Sequence, residues 1–131
     1  MKFYNETGLD ISPFQSGANG SAADVAKLFT YILENNPEIF NATKYAKFTV
    51  SSLDNIKHVA INTDEDVNKI PGIIASKTGF TNLAGGNLAV VYDAGINYPI
   101  VAVVLGSTYD GRFADMSSLI NTTNKAISLQ N

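Results

Sequence analysis

Three short strand-like runs in the second half of the chain most constrain its fold. They cover residues 73–78, 88–92 and 100–105, and their composition is typical of strands. Gly79 and Gly85-Gly86 interrupt the first connection, and residues 94–97 form a hairpin-sized second connection. Because short connections of this kind join antiparallel neighbours, the sequence predicts a three-stranded antiparallel meander.

Two amphipathic segments are predicted to form helices that pack on this sheet. Ser21 stands three residues before Asp24, the spacing of a capping box, and apolar residues then recur at helical intervals up to about Asn35. The second helix follows Gly111, and one face of it carries Phe113, Met116, Leu119, Ile120, Thr123 and Ile127. A chain of 131 residues with 45% hydrophobic residues has the size of one compact unit, so we predict a single α+β fold.

The first half of the chain has weaker patterns. Residues 1–20 are rich in Gly, Asn, Ser and Pro, which predicts an irregular segment. We expect four apolar side chains to anchor that segment, namely Phe3, Tyr4, Leu9 and Phe14. A short helical turn around Ile39 and Phe40 is predicted to lead into a half-buried strand at residues 47–50.

Three consecutive acidic residues follow at positions 64–66. With Asn62 or Thr63 as the N-cap, a short helix through Val67 would place these carboxylates at the helix N-terminus, where negative charge is favoured. A calcium loop would need further oxygen ligands and a glycine at set offsets, and the sequence lacks them. We therefore predict a helix start here and expect neither a metal ion nor another cofactor.

The charge pattern argues against nucleic acid as a partner. The net charge is −3, and Arg112 is the single arginine among nine basic residues, so no basic stripe can hold phosphates. The chain has no cysteine, which excludes disulfides and thiolate chemistry. No apolar run approaches the roughly 18 residues of a membrane span, and the first residues lack the apolar region of a signal peptide.

Residues 77–81, Lys-Thr-Gly-Phe-Thr, have a composition suited to binding a peptide at a strand edge. Lys77 can supply a positive field, and Thr78 and Thr81 can donate hydrogen bonds. Gly79 has no side chain to block an extended peptide from pairing with the edge. Taken alone, the tripeptide is also compatible with an ordinary strand that runs into a turn. His58, the single histidine, has no evident Ser or Asp partner and is interpreted as a structural or surface residue.

The context of Lys77-Thr78-Gly79 resembles a known family. Lys-Thr-Gly is the third of three motifs shared by penicillin-binding proteins and serine β-lactamases. The neighbouring residues 71–73, 81–88 and 103–106 resemble the low-molecular-weight D-alanyl-D-alanine carboxypeptidases, and so do residues 3–10 and 21–28 upstream. The resemblance covers nearly the whole chain. It implies that residues 1–131 are the C-terminal portion of the catalytic domain, with part of the penicillin-binding-protein and β-lactamase fold.

The same resemblance implies roles for five residues. Lys77 would be catalytic, while Thr78, Gly79 and Thr81 would bind the substrate. In the family, an arginine at the place of Arg112 helps to hold the terminal carboxylate of the substrate. Arg112 follows Lys77 by 35 residues, which suits two strands and their turns, and a guanidinium matches a carboxylate through two parallel hydrogen bonds. A surface arginine near a helix N-terminus is the alternative interpretation.

The nucleophile of that family is absent from this sequence. The family carries it in a Ser-x-x-Lys motif and assists proton transfer with a Ser-x-Asn motif, and neither pattern occurs in these residues. By resemblance, both motifs belong to a preceding segment. We therefore expect the isolated chain to be inactive. The resemblance also implies binding of peptidoglycan stem peptides or β-lactams, and a location outside the cytoplasmic membrane for the full-length protein.

Two other interpretations stay open at this point. The chain could be a non-catalytic truncated or split module that binds peptidoglycan peptides. It could also be an unrelated small α+β binding protein, in which case Lys77 and Arg112 would lie far apart. Loss of the N-terminal half of the domain would uncover apolar surface, so we also expect a homo-oligomer or strand exchange.

Overall fold

The computed structural model describes residues 1–129. Its strands are β1 (Lys2–Phe3), β2 (Ala18–Asn19), β3 (Lys47–Ser51), β4 (Lys57–Ile61), β5 (Ile73–Thr81), β6 (Gly85–Asp93) and β7 (Pro99–Ser107). Helix α1 spans Ala22–Asn35, and helix α2 spans Gly111–Ser128. Short 3-10 helices lie at Pro37–Phe40 and Val67–Lys69.

The predicted meander is confirmed. Strands β5, β6 and β7 form one antiparallel sheet in that order, so β6 is central and β5 is an edge strand. Strand β5 is longer than the run predicted at residues 73–78, because Gly79 and Phe80 continue to pair with β6. Gly85 turns the chain at φ +68°, and a Cβ there would lie 2.8 Å from the carbonyl oxygen of Ser107. Only glycine fits that turn without strain.

Helices cover both faces of the three-stranded sheet. On one face, Phe29 of α1 and Phe40 pack against Ala89 and Val91. On the other face, the buried side chains of α2 and the sheet are Leu88, Val90, Tyr92, Ala102, Met116 and Ile120. Residues 88–92 of β6 therefore alternate between the two helices, which explains why all five of them are apolar. This arrangement agrees with the predicted α+β fold.

The predicted start of α1 is confirmed at atomic detail. The Asp24 amide donates to Ser21 Oγ at 3.2 Å, and the Ser21 amide donates to the Asp24 carboxylate at 2.9 Å. These two bonds form a capping box that satisfies the first amides of the helix. Hydrogen bonds from the Ser21 backbone and side chain lower the pKa of Asp24 to about 2.

The predicted anchors of residues 1–20 are wrong. Phe3, Tyr4 and Leu9 are exposed, and Phe14 is 94% exposed. Polar bonds order the segment instead: β1 pairs with β2, and Asn5 accepts from the Gly8 amide at 2.7 Å. An apolar residue can anchor a loop only where a buried surface lies opposite it, and that surface is a tertiary property.

The strand predicted at residues 47–50 is present as β3, but two features were not foreseen. Its antiparallel partner β4 was not predicted, because charged and polar residues at its start obscure the strand pattern. The prediction that β3 is half-buried is wrong, because four of its five residues are exposed. The β3–β4 ribbon forms a separate sheet, and neither strand packs against β5, β6 or β7.

The helix predicted from Asn62 or Thr63 through Val67 is also wrong. The Asp64 amide donates to the Asn62 side chain at 2.9 Å, and the Asp66 amide donates to the Asp64 side chain at 3.1 Å. These side-chain bonds replace the backbone bonds of a helix, and a 3-10 turn forms only from Val67. Asp64 is consequently buried instead of lying at an exposed helix N-terminus.

Candidate functional site

Strand β5 lines a cleft of about 450 Å³. Residues 77–81 line this cleft together with residues of the N-terminal segment, of α1 and of the two neighbouring strands, including Phe3, Leu9, Leu28, Asn87 and Leu105. Four of the predicted site residues, Lys77, Thr78, Gly79 and Thr81, therefore share one cavity. Because β5 is an edge strand, no other strand within residues 1–129 covers this side of it.

Lys77 presents a cation at this cleft. Its side chain is exposed, and its Nζ donates to the carbonyl oxygen of Thr78. Among the described residues, no carboxylate lies within ion-pair distance of it: the two ion pairs found there join the N-terminus to Asp24 and Lys69 to Asp66. The positive charge of Lys77 is therefore not neutralised by a neighbour and can act on an anionic ligand.

Gly79 stands where the fold itself does not require glycine. A Cβ at this position would meet nothing closer than the Cβ of Asn87, at 3.8 Å, which is an ordinary contact. By contrast, a Cβ on Gly86 would lie 2.0 Å from the carbonyl oxygen of Thr108. Glycine at an exposed edge without an internal reason is typical of a place where another backbone approaches closely.

The two threonines are held by different contacts. Thr81 Oγ1 accepts from the Ala84 amide at 3.0 Å and so helps to close the β5–β6 turn. Thr78 is only 7% exposed, and its Oγ1 lies 2.5 Å from Oγ1 of Thr63. Thr81 retains its hydroxyl proton for another acceptor, whereas the direction of the Thr78 bond depends on Thr63.

Arg112 lies in the first turn of α2, and its side chain contacts β5. Its Nη1 donates to the carbonyl oxygen of Gly79 at 3.4 Å. The guanidinium carbon lies 4.3 Å from the centre of the Tyr109 ring and 4.8 Å from that of Phe113. The structure thus brings Arg112 to the predicted strand. It also buries the side chain, which is 3% exposed and does not line the cleft.

Aromatic rings form a continuous cover over this guanidinium. Phe80 meets Tyr109 edge-to-face with ring centres 5.1 Å apart, and Tyr109 stacks on Arg112. Both aromatic residues are about half-exposed. The structure joins Arg112 to Gly79, two residues from Lys77, and the sequence had no signal for the aromatic residues that pack around Arg112.

A polar network outside the cleft contacts β5, and it was not predicted from the sequence. Asn62 Nδ2 donates to Thr43 O at 2.7 Å and to Ser76 Oγ at 3.3 Å. Asp64 is 1% exposed, and burial raises the pKa of its carboxyl group. The Asp66 amide, which donates to the Asp64 carboxylate at 3.1 Å, and the positive charge of Arg112 oppose that increase in pKa. The run Asn62-Thr63-Asp64 was the available signal, since such residues favour local turns over helices.

Other features lie outside the cleft. His58 lies on β4 with an exposed side chain, in agreement with its interpretation as a surface residue. In the described part of the chain, no group of three or more His, Cys, Asp or Glu residues is placed to hold a metal ion. Neither of the two helices between residues 1 and 129 is long and apolar enough to cross a membrane.

Comparisons with known proteins identify similar chains. D-alanyl-D-alanine carboxypeptidase DacA of Escherichia coli is 29% identical over 125 residues, which cover 90% of this chain and 30% of that protein. A penicillin-binding protein of Listeria monocytogenes, in its ampicillin-bound form, has a TM-score of 0.73 at 25% identity and is matched over 91% of this chain and 46% of that chain. A D-alanyl-D-alanine carboxypeptidase of Mycobacterium tuberculosis has a TM-score of 0.60 at 28% identity, over 76% of this chain and 36% of that chain.

These similarities confirm the predicted fold as part of the penicillin-binding-protein fold. This chain spans less than half the length of each of these three relatives. The sequence profile of the D-alanyl-D-alanine carboxypeptidase family matches residues 1–109, which is most of the chain. The interpretation as an unrelated small α+β protein is therefore wrong. The chain belongs to the D-alanyl-D-alanine carboxypeptidase family.

Proposed function

We propose that this chain forms the substrate-holding half of a serine-type D-alanyl-D-alanine carboxypeptidase site that acts on peptidoglycan stem peptides. The observation that carries the proposal is the open edge of β5. There, an unpaired Lys77 and a Gly79 that the fold itself does not require face one cleft. An extended peptide pairs with such an edge through its main chain, and side chains beside the edge select its terminal group.

Each residue of this edge has a distinct proposed role. The charge of Lys77 attracts the terminal carboxylate of the peptide and supports negative charge that develops during acyl transfer. The hydroxyl groups of Thr78 and Thr81 donate to the ligand, and Gly79 lets the peptide backbone approach. Arg112 adds positive field from beneath Gly79, to whose carbonyl it donates. A direct two-bond contact of Arg112 with the carboxylate requires its side chain, which is buried here, to become accessible from the cleft.

The covalent step needs a residue that this sequence does not contain. No serine here is followed by lysine at the third position or by asparagine at the second. We propose that the Ser-x-x-Lys and Ser-x-Asn motifs come from the N-terminal half of the domain, which is the partner of this chain in the complete site. The complete enzyme would then form an acyl-serine with the peptide or with a β-lactam, outside the cytoplasmic membrane.

Two measurements on the isolated chain test this assignment. We expect no covalent labelling with a fluorescent penicillin, because the nucleophile is absent. We expect a peptide that ends in D-alanyl-D-alanine to shift the amide resonances of residues 77–81, and the same peptide with a C-terminal amide to bind more weakly. Covalent labelling would overturn the claim that the nucleophile lies elsewhere. Equal binding of acid and amide, or binding of neither, would overturn the assignment of the substrate site.

A second candidate is a non-catalytic module that binds peptidoglycan peptides, and the lack of Ser-x-x-Lys favours it for the chain by itself. Complementation separates the two candidates. The chain is mixed with a purified N-terminal segment of a family relative that carries Ser-x-x-Lys, and penicillin labelling is measured. Labelling that needs both chains supports the split catalytic site. Peptide binding without any labelling in the mixture supports the binding module.

A further inference from the structure

Residues 62–64 contact β5 but do not line the cleft. Asn62 Nδ2 donates to Ser76 Oγ at 3.3 Å, and Thr63 Oγ1 lies 2.5 Å from Thr78 Oγ1. This short segment therefore binds two alternate residues of the strand that carries the proposed site. It belongs to none of the family motifs that the sequence displays.

The segment is held firmly, so its contact with β5 is well defined. The Asn62 side chain also donates to Thr43 O at 2.7 Å and accepts from the Asp64 amide at 2.9 Å. The Ser76 hydroxyl donates to the same Thr43 carbonyl at 3.1 Å. Buried groups with several hydrogen bonds have little freedom to move independently.

The Thr63–Thr78 contact decides what the Thr78 hydroxyl can do. A hydroxyl has one proton to donate and two lone pairs that accept. If Thr78 donates to Thr63, it has no proton left for a ligand in the cleft. If Thr63 donates to Thr78, the Thr78 proton is free, and a carboxylate in the cleft draws it outward. Consecutive bonds of this kind, Thr63 to Thr78 to carboxylate, strengthen one another.

We propose that Thr63 is a positioning residue for the ligand carboxylate: it donates to Thr78 and holds the Thr78 hydroxyl in the rotamer that donates into the cleft. Thr63 is exposed on its other side and need not touch the ligand itself. The inference rests on the proposed function of the β5 edge and adds to it a residue from outside the strand.

The binding test compares two substitutions at one position. Thr63→Val keeps the shape and removes the hydroxyl, whereas Thr63→Ser keeps the hydroxyl. Thr49→Val, at an exposed site on β3, is the matched control. For a peptide ending in D-alanyl-D-alanine, we expect Thr63→Val to weaken binding by about threefold to tenfold, the usual effect of one lost hydrogen bond. Thr63→Ser and Thr49→Val should bind like the wild type, and affinity for the C-terminal amide should change little in any variant.

A second measurement needs no ligand. Three-bond couplings to the Thr78 methyl carbon report its χ1 rotamer. We expect one rotamer in the wild type and in Thr63→Ser, and averaged couplings in Thr63→Val. A single rotamer in Thr63→Val, or equal losses of acid and amide binding, would overturn the inference. If the wild-type chain binds neither peptide, the proposed function fails, and the couplings still decide whether Thr63 fixes Thr78.

Discussion

At the scale of single residues, the glycines of β5 and β6 differ in the reason for their presence. A Cβ at Gly79 would meet only ordinary contacts, while a Cβ at Gly86 would overlap the backbone at Thr108. The chain's own packing explains the second glycine, and we propose that the first one serves an external ligand. Within one hairpin, substitutions at Gly79 and Gly86 can therefore test the proposed binding role separately from the packing role.

A pair of alanine substitutions tests that contrast. Gly79→Ala should change the free energy of unfolding by less than about 1 kcal/mol, because its new methyl group finds room. It should nonetheless weaken binding of a D-alanyl-D-alanine peptide. Gly86→Ala should destabilise by about 2 kcal/mol or more, because the backbone must shift. Urea denaturation measures both changes. A strong loss of stability in Gly79→Ala would mean that the fold itself needs this glycine.

The buried carboxyl group of Asp64 makes a prediction for pH. Because burial raises its pKa above the ordinary value of 3.8, the folded state binds a proton more tightly than the unfolded state. The contribution of Asp64 to stability is therefore fully present below pH 3.8 and falls as pH rises through the raised pKa. Asp64→Asn removes this dependence, so its stability relative to the wild type should improve from pH 4 towards pH 7.

Urea midpoints across that pH range provide the measurement. Glu65→Gln is the matched control, since it removes an exposed carboxylate from the adjacent position. Its midpoints should follow those of the wild type at every pH. An Asp64→Asn variant whose stability ran parallel to the wild type would show that Asp64 does not titrate differently in the two states.

At the scale of elements, α1 depends on its capping box. The helix brings Phe29 onto the sheet face opposite α2, and Ser21 with Asp24 satisfies its first amides. The same helix contributes Leu28 to the wall of the cleft. The local signal at the helix start therefore affects both the core and the site.

Loss of this cap should have a measurable cost. Ser21→Ala should reduce the free energy of unfolding by about 1 kcal/mol, because the Asp24 amide loses its acceptor. Ser118→Ala, at an exposed position inside α2, should be neutral or slightly stabilising, because alanine is the better helix former. Chemical denaturation with a helical circular dichroism signal distinguishes them. Equal effects of both substitutions would argue against a stabilising cap.

At the scale of the whole molecule, β7 has an unpaired outer edge. The strand runs Pro99–Ser107 without a charged residue, and no other strand in residues 1–129 pairs with its far side. Edge strands that lack charges are templates for pairing with a further chain. Several apolar side chains elsewhere on the molecule are also exposed. These features favour association of the isolated chain.

We therefore predict self-association through β7. Sedimentation velocity should show a weight-average mass that increases with concentration. Leu105→Lys places a charge on the open strand and should reduce association, whereas Ile96→Lys at the hairpin tip should have little effect. A monomer at all concentrations would contradict the prediction. Equal effects of both lysines would place the contact elsewhere.

Local patterns were sufficient for much of this protein. The meander followed from strand-like runs with short connections, and the start of α1 followed from the spacing of Ser21 and Asp24. The family followed from residues around Lys77-Thr78-Gly79. Each of these signals lies in residues that are close in sequence, so it can be recognised without knowledge of the folded structure.

The remaining features depend on contacts between residues that are distant in sequence. Burial of Arg112 beneath Tyr109 requires α2 to pack on the sheet, and the Thr63–Thr78 bond joins residues 15 positions apart. The helix predicted from Asn62 or Thr63 is wrong because the Asn62 and Asp64 side chains accept from backbone amides that a helix would have used. The sequence by itself determined the three-stranded meander, the capped helix and the family. The tertiary structure decided which polar groups are buried and which face the cleft, because burial depends on what packs opposite a residue and no local pattern specifies that.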